Sequence, residues 1–312
     1  MTAFARWGAL AACACLTHAV WFVPASRAAG TAAEPPSSPL SFLSGFEMAG
    51  GCAGLRYEQT APDSSGTFSQ WGWQTDLGIR VRLKEDRVAL LASYGKTGVG
   101  EDTEEIVHHG GILTSALDPD YARYGLALAY RTERPSGARA EIQAGYRWLR
   151  VGIVRTDFRY GDGTPVPGQL RPVTEHHRAG GPAAGLALRR PLGGWRLADR
   201  PLFLQLAGEG ALLTSAEVVN SQGAVFDTQG LCWSARAGIT MVGRRAGPAR
   251  GRGEPARGGW SLGLLGDYSL VRLDGAGPTT TPQGDLVLGE GRFRTMSLSL
   301  HWEYDFQLGG SP

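Results

Sequence analysis

The sequence predicts an all-β fold, an antiparallel up-and-down transmembrane β-barrel of about ten strands, with eight to twelve as the range. Three observations carry this prediction. Residues 292–306 place Leu298, Leu300, Trp302, Tyr304 and Phe306 on one side and Ser297, Ser299, His301, Glu303 and Asp305 on the other, a strand with one apolar and one polar face. Similar alternating runs, separated by turn-rich connections, recur from Phe46 onward. Beyond the N-terminal segment no run approaches the roughly 20 apolar residues of a spanning helix, so entry into lipid requires a closed barrel.

The chain opens with a segment that reads as a secretory signal over residues 1–28. Arg6 supplies the positive charge, residues 7–23 are almost wholly apolar, Pro24 breaks the helix and Ser26-Arg27-Ala28 ends in small residues. Leu10-Ala11-Ala12-Cys13 also has the form of a lipoprotein cleavage box, although the apolar run continues well past it. Residues 29–45 read as a flexible leader, 46–306 as the barrel and 307–312 as a C-terminal tail.

Composition agrees with export and β structure: 46 Gly, 9 Trp and 9 Tyr stand beside only two lysines, Lys84 and Lys96. Without Arg6 and Arg27 the mature chain carries 29 basic and 29 acidic residues, which implies no nucleic-acid partner. Cys52 and Cys232 remain after the signal; an oxidising periplasm would let them pair, and small buried residues are the alternative.

Each strand follows from its pattern. Residues 46–59 end in Ala53, Leu55 and Tyr57, and the second strand sets Trp71, Trp73, Leu77, Ile79, Val81 and Leu83 against Gln74, Asp76, Arg80 and Arg82. The third, 87–96, shows Val88, Leu90, Ala92 and Tyr94; a long polar segment then runs to Asp120. The fourth, 121–131, shows Tyr124, Leu126, Leu128 and Tyr130. In the fifth, Ile142, Ala144, Tyr146 and Trp148 oppose Arg139, Glu141, Gln143 and Arg147 until the phase slips near Leu149, as one bulged residue would make it do. The sixth, 174–190, is weaker and contains Pro182; residues 191–200 read as a turn and 201–216 as the seventh strand. Leu231 to Met241 and Trp260 to Leu270 mark the eighth and ninth, and Leu286 and Leu288 stand at strand spacing inside the last loop.

Connections alternate between short turns on the side of the termini and segments that are mostly longer on the other, as in transmembrane barrels. Aromatics gather at strand ends, as interfacial belts require, and runs of about ten residues match the ~9 to 11 that cross a bilayer when tilted. A soluble barrel would instead have to bury Trp71, Trp73, Trp148, Trp233, Trp260 and Trp302 together.

From residue 46 to the end the chain resembles the outer-membrane β-barrel proteins of Gram-negative bacteria. The terminal strand carries the most specific part: Tyr304 and Phe306 look like the aromatic signal that the barrel-assembly machinery reads, although residues 307–312 follow it. GPAAGLALRRPLGG, LFLQLAGEGALLTS, GLRYEQ and GYRWLRV also resemble the Legionella-type pore-forming barrel family, which would imply a passive pore. The resemblance implies location in the bacterial outer membrane after cleavage of the signal, with outer-membrane lipid and small polar solutes as partners.

The polar face then becomes a lumen, lined by Asp76, Arg80, Arg82, Arg123, Arg131, Arg139, Glu141, Arg147, Arg236, Asp267, His301, Glu303 and Asp305. Ten strands enclose a narrow bore, so the function reads as a porin-like pore for small polar solutes or a structural barrel with a charged lumen. A loop-mediated adhesin or receptor is a further alternative. So is a surface enzyme resembling the omptin-type proteases, in which carboxylates and a His activate a water at the rim. Candidates for that chemistry are Asp118, Asp120, Asp157 and His176, beside Glu175 and His177, all at the outer ends of neighbouring strands. No cofactor is implied, and the adjacent pairs His108-His109 and His176-His177 lack the spacing of a preformed metal site.

Overall fold

The structure is a computed structural model. It describes residues 43–305 except 85–86, 135, 168–170, 222, 245–258 and 282–283. The expected signal, the leader before Leu43, Phe306 and the tail lie outside the described residues. Thirteen strand segments follow one another: β1 (Leu43–Ala61), β2 (Ser64–Lys84), β3 (Val88–Val99), β4 (Asp102–His108), β5 (Gly111–Glu133), β6 (Arg139–Tyr160), β7 (Val173–Leu197), β8 (Arg200–Asn220), β9 (Val225–Arg244), β10 (Gly259–Leu273), β11 (Ala276–Thr281), β12 (Gly284–Leu288) and β13 (Glu290–Asp305).

Every step round the main sheet is antiparallel, and the ring closes because β1 pairs with both β13 and β2. Closure leaves no edge, the one sheet geometry that satisfies every ladder group in lipid. β3 and β4 form one position in the wall, broken at residues 100–101, since both pair with β2 and β5. The barrel therefore has ten strands. Segments β11 and β12 form a separate hairpin in the connection to β13, built around the strand-spaced Leu286 and Leu288.

Several elements run past their expected limits. β1 starts at Leu43, inside the expected leader. The polar segment 97–120 is not a loop but a hairpin, whose two-residue turn is made by His109 and Gly110, both at positive φ. The turn expected at 191–200 is likewise the tip of a hairpin, closed by Ala198 and Asp199 at φ 48° and 61°. No bulge occurs at Leu149, where β5 and β6 stay in register through Arg123↔Leu149. The extra residue of β6 comes later: Thr114 pairs with Arg159 but Ala116 with Thr156, and Asp157 takes φ 49°.

The apparent slip has another cause. Trp148 stays on the outer face while Leu149, Val151 and Ile153 turn inward and are buried. Hydrophobicity changes sides because the interior itself changes from charged to apolar along the strand. The outer wall carries a continuous apolar band, with Leu77, Ile79, Leu126, Leu128, Ile142, Leu186, Leu206, Ile239, Leu264, Leu298 and Leu300 exposed. Trp71, Trp73, Tyr124, Trp148 and Trp233 rim this band toward the loop end. Above that rim the strands continue, since β5 has 23 residues and β7 has 25, about twice the bilayer requirement.

Candidate functional site

The interior is built in three tiers, and each follows from which residues the strand alternation turns inward. Nearest the termini is an ion-pair tier. Arg80 donates two hydrogen bonds to Glu141, at 2.9 and 2.8 Å, and Arg131 donates one to the same carboxylate at 3.0 Å. Arg139 reaches Glu303 across the ring at 3.0 Å, with Asp305 3.9 Å from Arg131. Arg123 donates to Asp76 at 2.7 Å, Arg236 bridges Asp267 and Glu47, and His301 Nε2 lies 2.7 Å from Glu47. Arg147 pairs with Glu209 through two nitrogens. Asp76, Arg123, Arg147, Glu209, Asp267 and His301 border a chamber of about 240 Å³.

The second tier is apolar. Leu55, Tyr57, Phe68, Leu117, Tyr121, Leu149, Val151, Ile153, Leu213 and Phe293 come from six strands and belong to one buried cluster inside the ring. Tyr57 and Phe293 stack with centroids 4.8 Å apart. Tyr121 and Leu149 also border the chamber below, so this tier is its roof.

The third tier rests on the second and centres on Arg155 of β6. Its guanidinium donates to Glu104 of β4 from Nε at 2.5 Å, to Glu175 of β7 from Nη1 at 2.7 Å, and to Tyr57 and Gln59 of β1 from Nη2 at 3.4 and 3.3 Å. Glu104 is wholly buried and Arg155 is 6% exposed at its side chain. His177 lies 3.3 Å from Glu175 and meets the Phe293 ring edge-on. Burial alone would raise the Glu175 carboxyl, but Arg155 and the His177 hydrogen bond outweigh it and hold it at about 2.

The sequence-predicted residues fall into distinct places. Asp76, Arg80, Arg123, Arg131, Arg139, Glu141, Arg147, Arg236, Asp267, His301, Glu303 and Asp305 all take part in the lowest tier's ion pairs. The Arg82 side chain is outside the described set. The four catalytic candidates do not converge. Asp118, Asp120 and His176 face out of the wall, where Gly152 separates Asp120 from His176 in the cross-strand row. Asp120 is held by Lys96 at 3.0 Å, and Asp157 pairs with Arg159 at 3.0 Å within the β6 bulge. Their neighbours Glu175 and His177, one step along β7, are the ones that point inward.

Sequence reasoning missed Glu104 and Arg155, because both lay in segments read as loops or loop margins. It also missed Glu47, Arg189 and Glu209, although their places in β1, β7 and β8 share the inward parity of their strands. Cys52 and Cys232 are free thiols: Cys52 is exposed on the outer face, whereas Cys232 borders the inner chamber. Among the described residues no group of three or more His, Cys, Asp or Glu gathers to hold a metal.

No protein-family model and no curated protein sequence matches the chain. Among solved structures it is similar to the outer membrane protease OmpT from Escherichia coli, at 13% identity over 85% of this chain and 97% of that one, with a TM-score of 0.57. Matches of lower score include the transport unit of the autotransporter AIDA-I from Escherichia coli, at 11% identity over 84% and 90% of the two chains (TM-score 0.39). Another is the outer membrane protein OprG from Pseudomonas aeruginosa, at 10% identity over 85% and 97% (TM-score 0.31). The OmpT likeness establishes fold: the chain is a closed, ten-stranded, all-β antiparallel barrel of the kind found in outer-membrane proteins.

Proposed function

We propose that this protein is a bacterial outer-membrane β-barrel with a closed lumen, a structural barrel that holds its loops at the cell surface, in preference to a passive pore. The observation that carries this reading is the apolar tier. A channel for polar solutes needs hydrated walls throughout its length, and a constriction lined by Leu117, Ile153 and Phe293 offers water few partners. Above and below, the charges are engaged with one another, so neither ionic tier presents a row of free cations or anions to a passing solute.

The apolar outer band and its aromatic rim support a membrane location with the loop end outward. A protease reading draws less support. The candidate carboxylates point to the outer wall, and the inward pair, Glu104 and Glu175, is tied up in ion pairs with Arg155. Conductance in planar bilayers tests the proposal. The folded protein is expected to insert and stay silent, and stepwise conductance from the wild-type barrel would overturn the closed-lumen reading in favour of the pore.

A further inference from the structure

At the terminus end of the lumen, three consecutive wall strands each turn an arginine inward: Arg131 of β5, Arg139 of β6 and Arg189 of β7. Arg139 stands directly opposite Arg189 in the β6–β7 ladder. All three guanidiniums approach one carboxylate, Glu303, which reaches them from β13 across the ring: Arg139 at 3.0 Å, Arg131 at 3.8 Å and Arg189 at 4.0 Å. Only the first of these is a hydrogen bond.

The other carboxylates do not make up the shortfall. Glu141 is engaged by Arg80 and by Arg131 Nε. Asp305 lies 3.9 Å from Arg131, and the exposed Glu133 lies 3.8 Å from Arg189, both beyond hydrogen-bond distance. Three buried nitrogens, one on each arginine, are thus left without a hydrogen-bond partner among the described residues: Arg131 Nη2, Arg139 Nη1 and Arg189 Nε. Buried charged donors are costly to leave unmet, so these nitrogens mark a place for an acceptor that the described chain does not supply. Arg189 is nonetheless held in place. Its guanidinium carbon sits over the Phe203 ring at 5.4 Å, a cation–π contact that uses none of its N–H donors. Arg139 and Glu303 also border the chamber of about 240 Å³, so the unmet donors adjoin open space inside the ring. A water there would satisfy one nitrogen, but it would bring no negative charge to Arg139 and Arg189, which repel across the ladder.

We propose that Arg131, Arg139 and Arg189 bind a phosphate group at the floor of the lumen. Donors arriving from three strands suit an anion with several oxygens, and the guanidinium fork matches the spacing of phosphate oxygens. The wall separates the site from acyl chains, so its phosphate comes from water, as the free ion or on a soluble monoester. Bound there, it ties β5, β6 and β7 together, and one seated ion leaves the lumen closed. The inference needs only the closed ring, and it holds whether or not the apolar tier excludes solute.

The test uses the full-length folded protein in nonionic detergent, titrated calorimetrically with sodium phosphate, glycerol phosphate or sodium chloride at matched ionic strength. Wild type is expected to bind one phosphate per chain, saturably and in preference to chloride. Arg189→Gln should weaken that binding about tenfold, the affinity ratio that corresponds to losing one charged hydrogen bond. This variant is informative because Arg189 has no hydrogen bond within the described chain to lose, and heat-dependent gel mobility verifies that it is folded. Arg189→Lys, which keeps the charge without the fork, should restore part of the affinity. Arg159→Gln, which alters only the exposed pair with Asp157 at the loop end, should bind as wild type. Tighter binding of glycerol phosphate than of inorganic phosphate supports the site and assigns it to a monoester; the reverse order supports it as a site for the free ion. Absence of saturable phosphate binding by wild type, equal binding of chloride, or undiminished binding by Arg189→Gln overturns the proposal.

Discussion

Arg155 shows how much one side chain can decide. It joins β6 to β1, β4 and β7 across the inside of the ring, and no other residue of the described set satisfies Glu104 so closely. Removing one member of a buried ion pair leaves an uncompensated charge, which costs about 3–5 kcal/mol, whereas removing both is often neutral. Arg155→Leu should therefore lower the thermal midpoint markedly, and Arg155→Leu/Glu104→Leu should recover part of the loss, Glu175 still lacking its guanidinium; equal midpoints for the two variants would refute the coupling. The same cluster predicts an acid response. Glu175 has its folded pKa held at about 2, below the ordinary carboxylate value of 4.5, so its contribution is complete above pH 4.5 and is lost as pH falls toward 2. Across that window the midpoint of wild type should fall more than that of Glu175→Gln, measured by the heat-dependent gel shift.

At the scale of elements, most of the ladder was legible and its irregularities were not. Alternation alone identified ten strand positions, because in a barrel wall every second residue meets a different medium. The bulge was misplaced because the inward medium changes along β6: Glu141 and Arg147 face the ionic tier and Leu149 to Ile153 the apolar one, a difference created by the other strands. Pro182 weakened the pattern of β7 for a reason that only pairing reveals. It falls where the β7–β8 register jumps from Gly180 to Ala183, and a break in the ladder tolerates a residue with no N–H. Beside it Gly181 lies so close to β8 that an added Cβ would meet the Leu212 carbonyl oxygen at 1.6 Å. Gly181→Val should consequently disturb the β7–β8 seam, lowering the midpoint and speeding exchange of β8 amides, while Gly194→Val should do neither because its Cβ meets nothing within 4 Å.

For the molecule as a whole, the candidate site was half legible. The inward charges of the lower tier alternate along each strand with the residues of the apolar outer band, so pattern reading reached them. Glu104 and Arg155 were hidden because strands projecting above the lipid lose their apolar face, leaving both faces polar and the periodicity silent. The apolar tier was hidden for the converse reason: an inward Leu or Ile looks like a lipid-facing one with its parity shifted. What that tier does is testable with a native probe. Cys232 lies on the inner wall beneath Tyr121 and Leu149, whereas Cys52 lies outside the ring. A closed roof should shield Cys232 from a membrane-impermeant thiol reagent added to intact cells, in a Cys52→Ser background, until the protein is heated and unfolded. Truncating the roof in Tyr121→Ala/Leu149→Ala removes its two residues over the chamber but leaves Arg155, Glu104 and Glu175 spanning the bore. Labelling should then stay slow, and rise only when Arg155→Ala is added, because two barriers in series protect until both are breached. Rapid labelling of folded Cys232 without any truncation would mean that solute passes both upper tiers, and the closed roof on which the closed-lumen reading rests would fail.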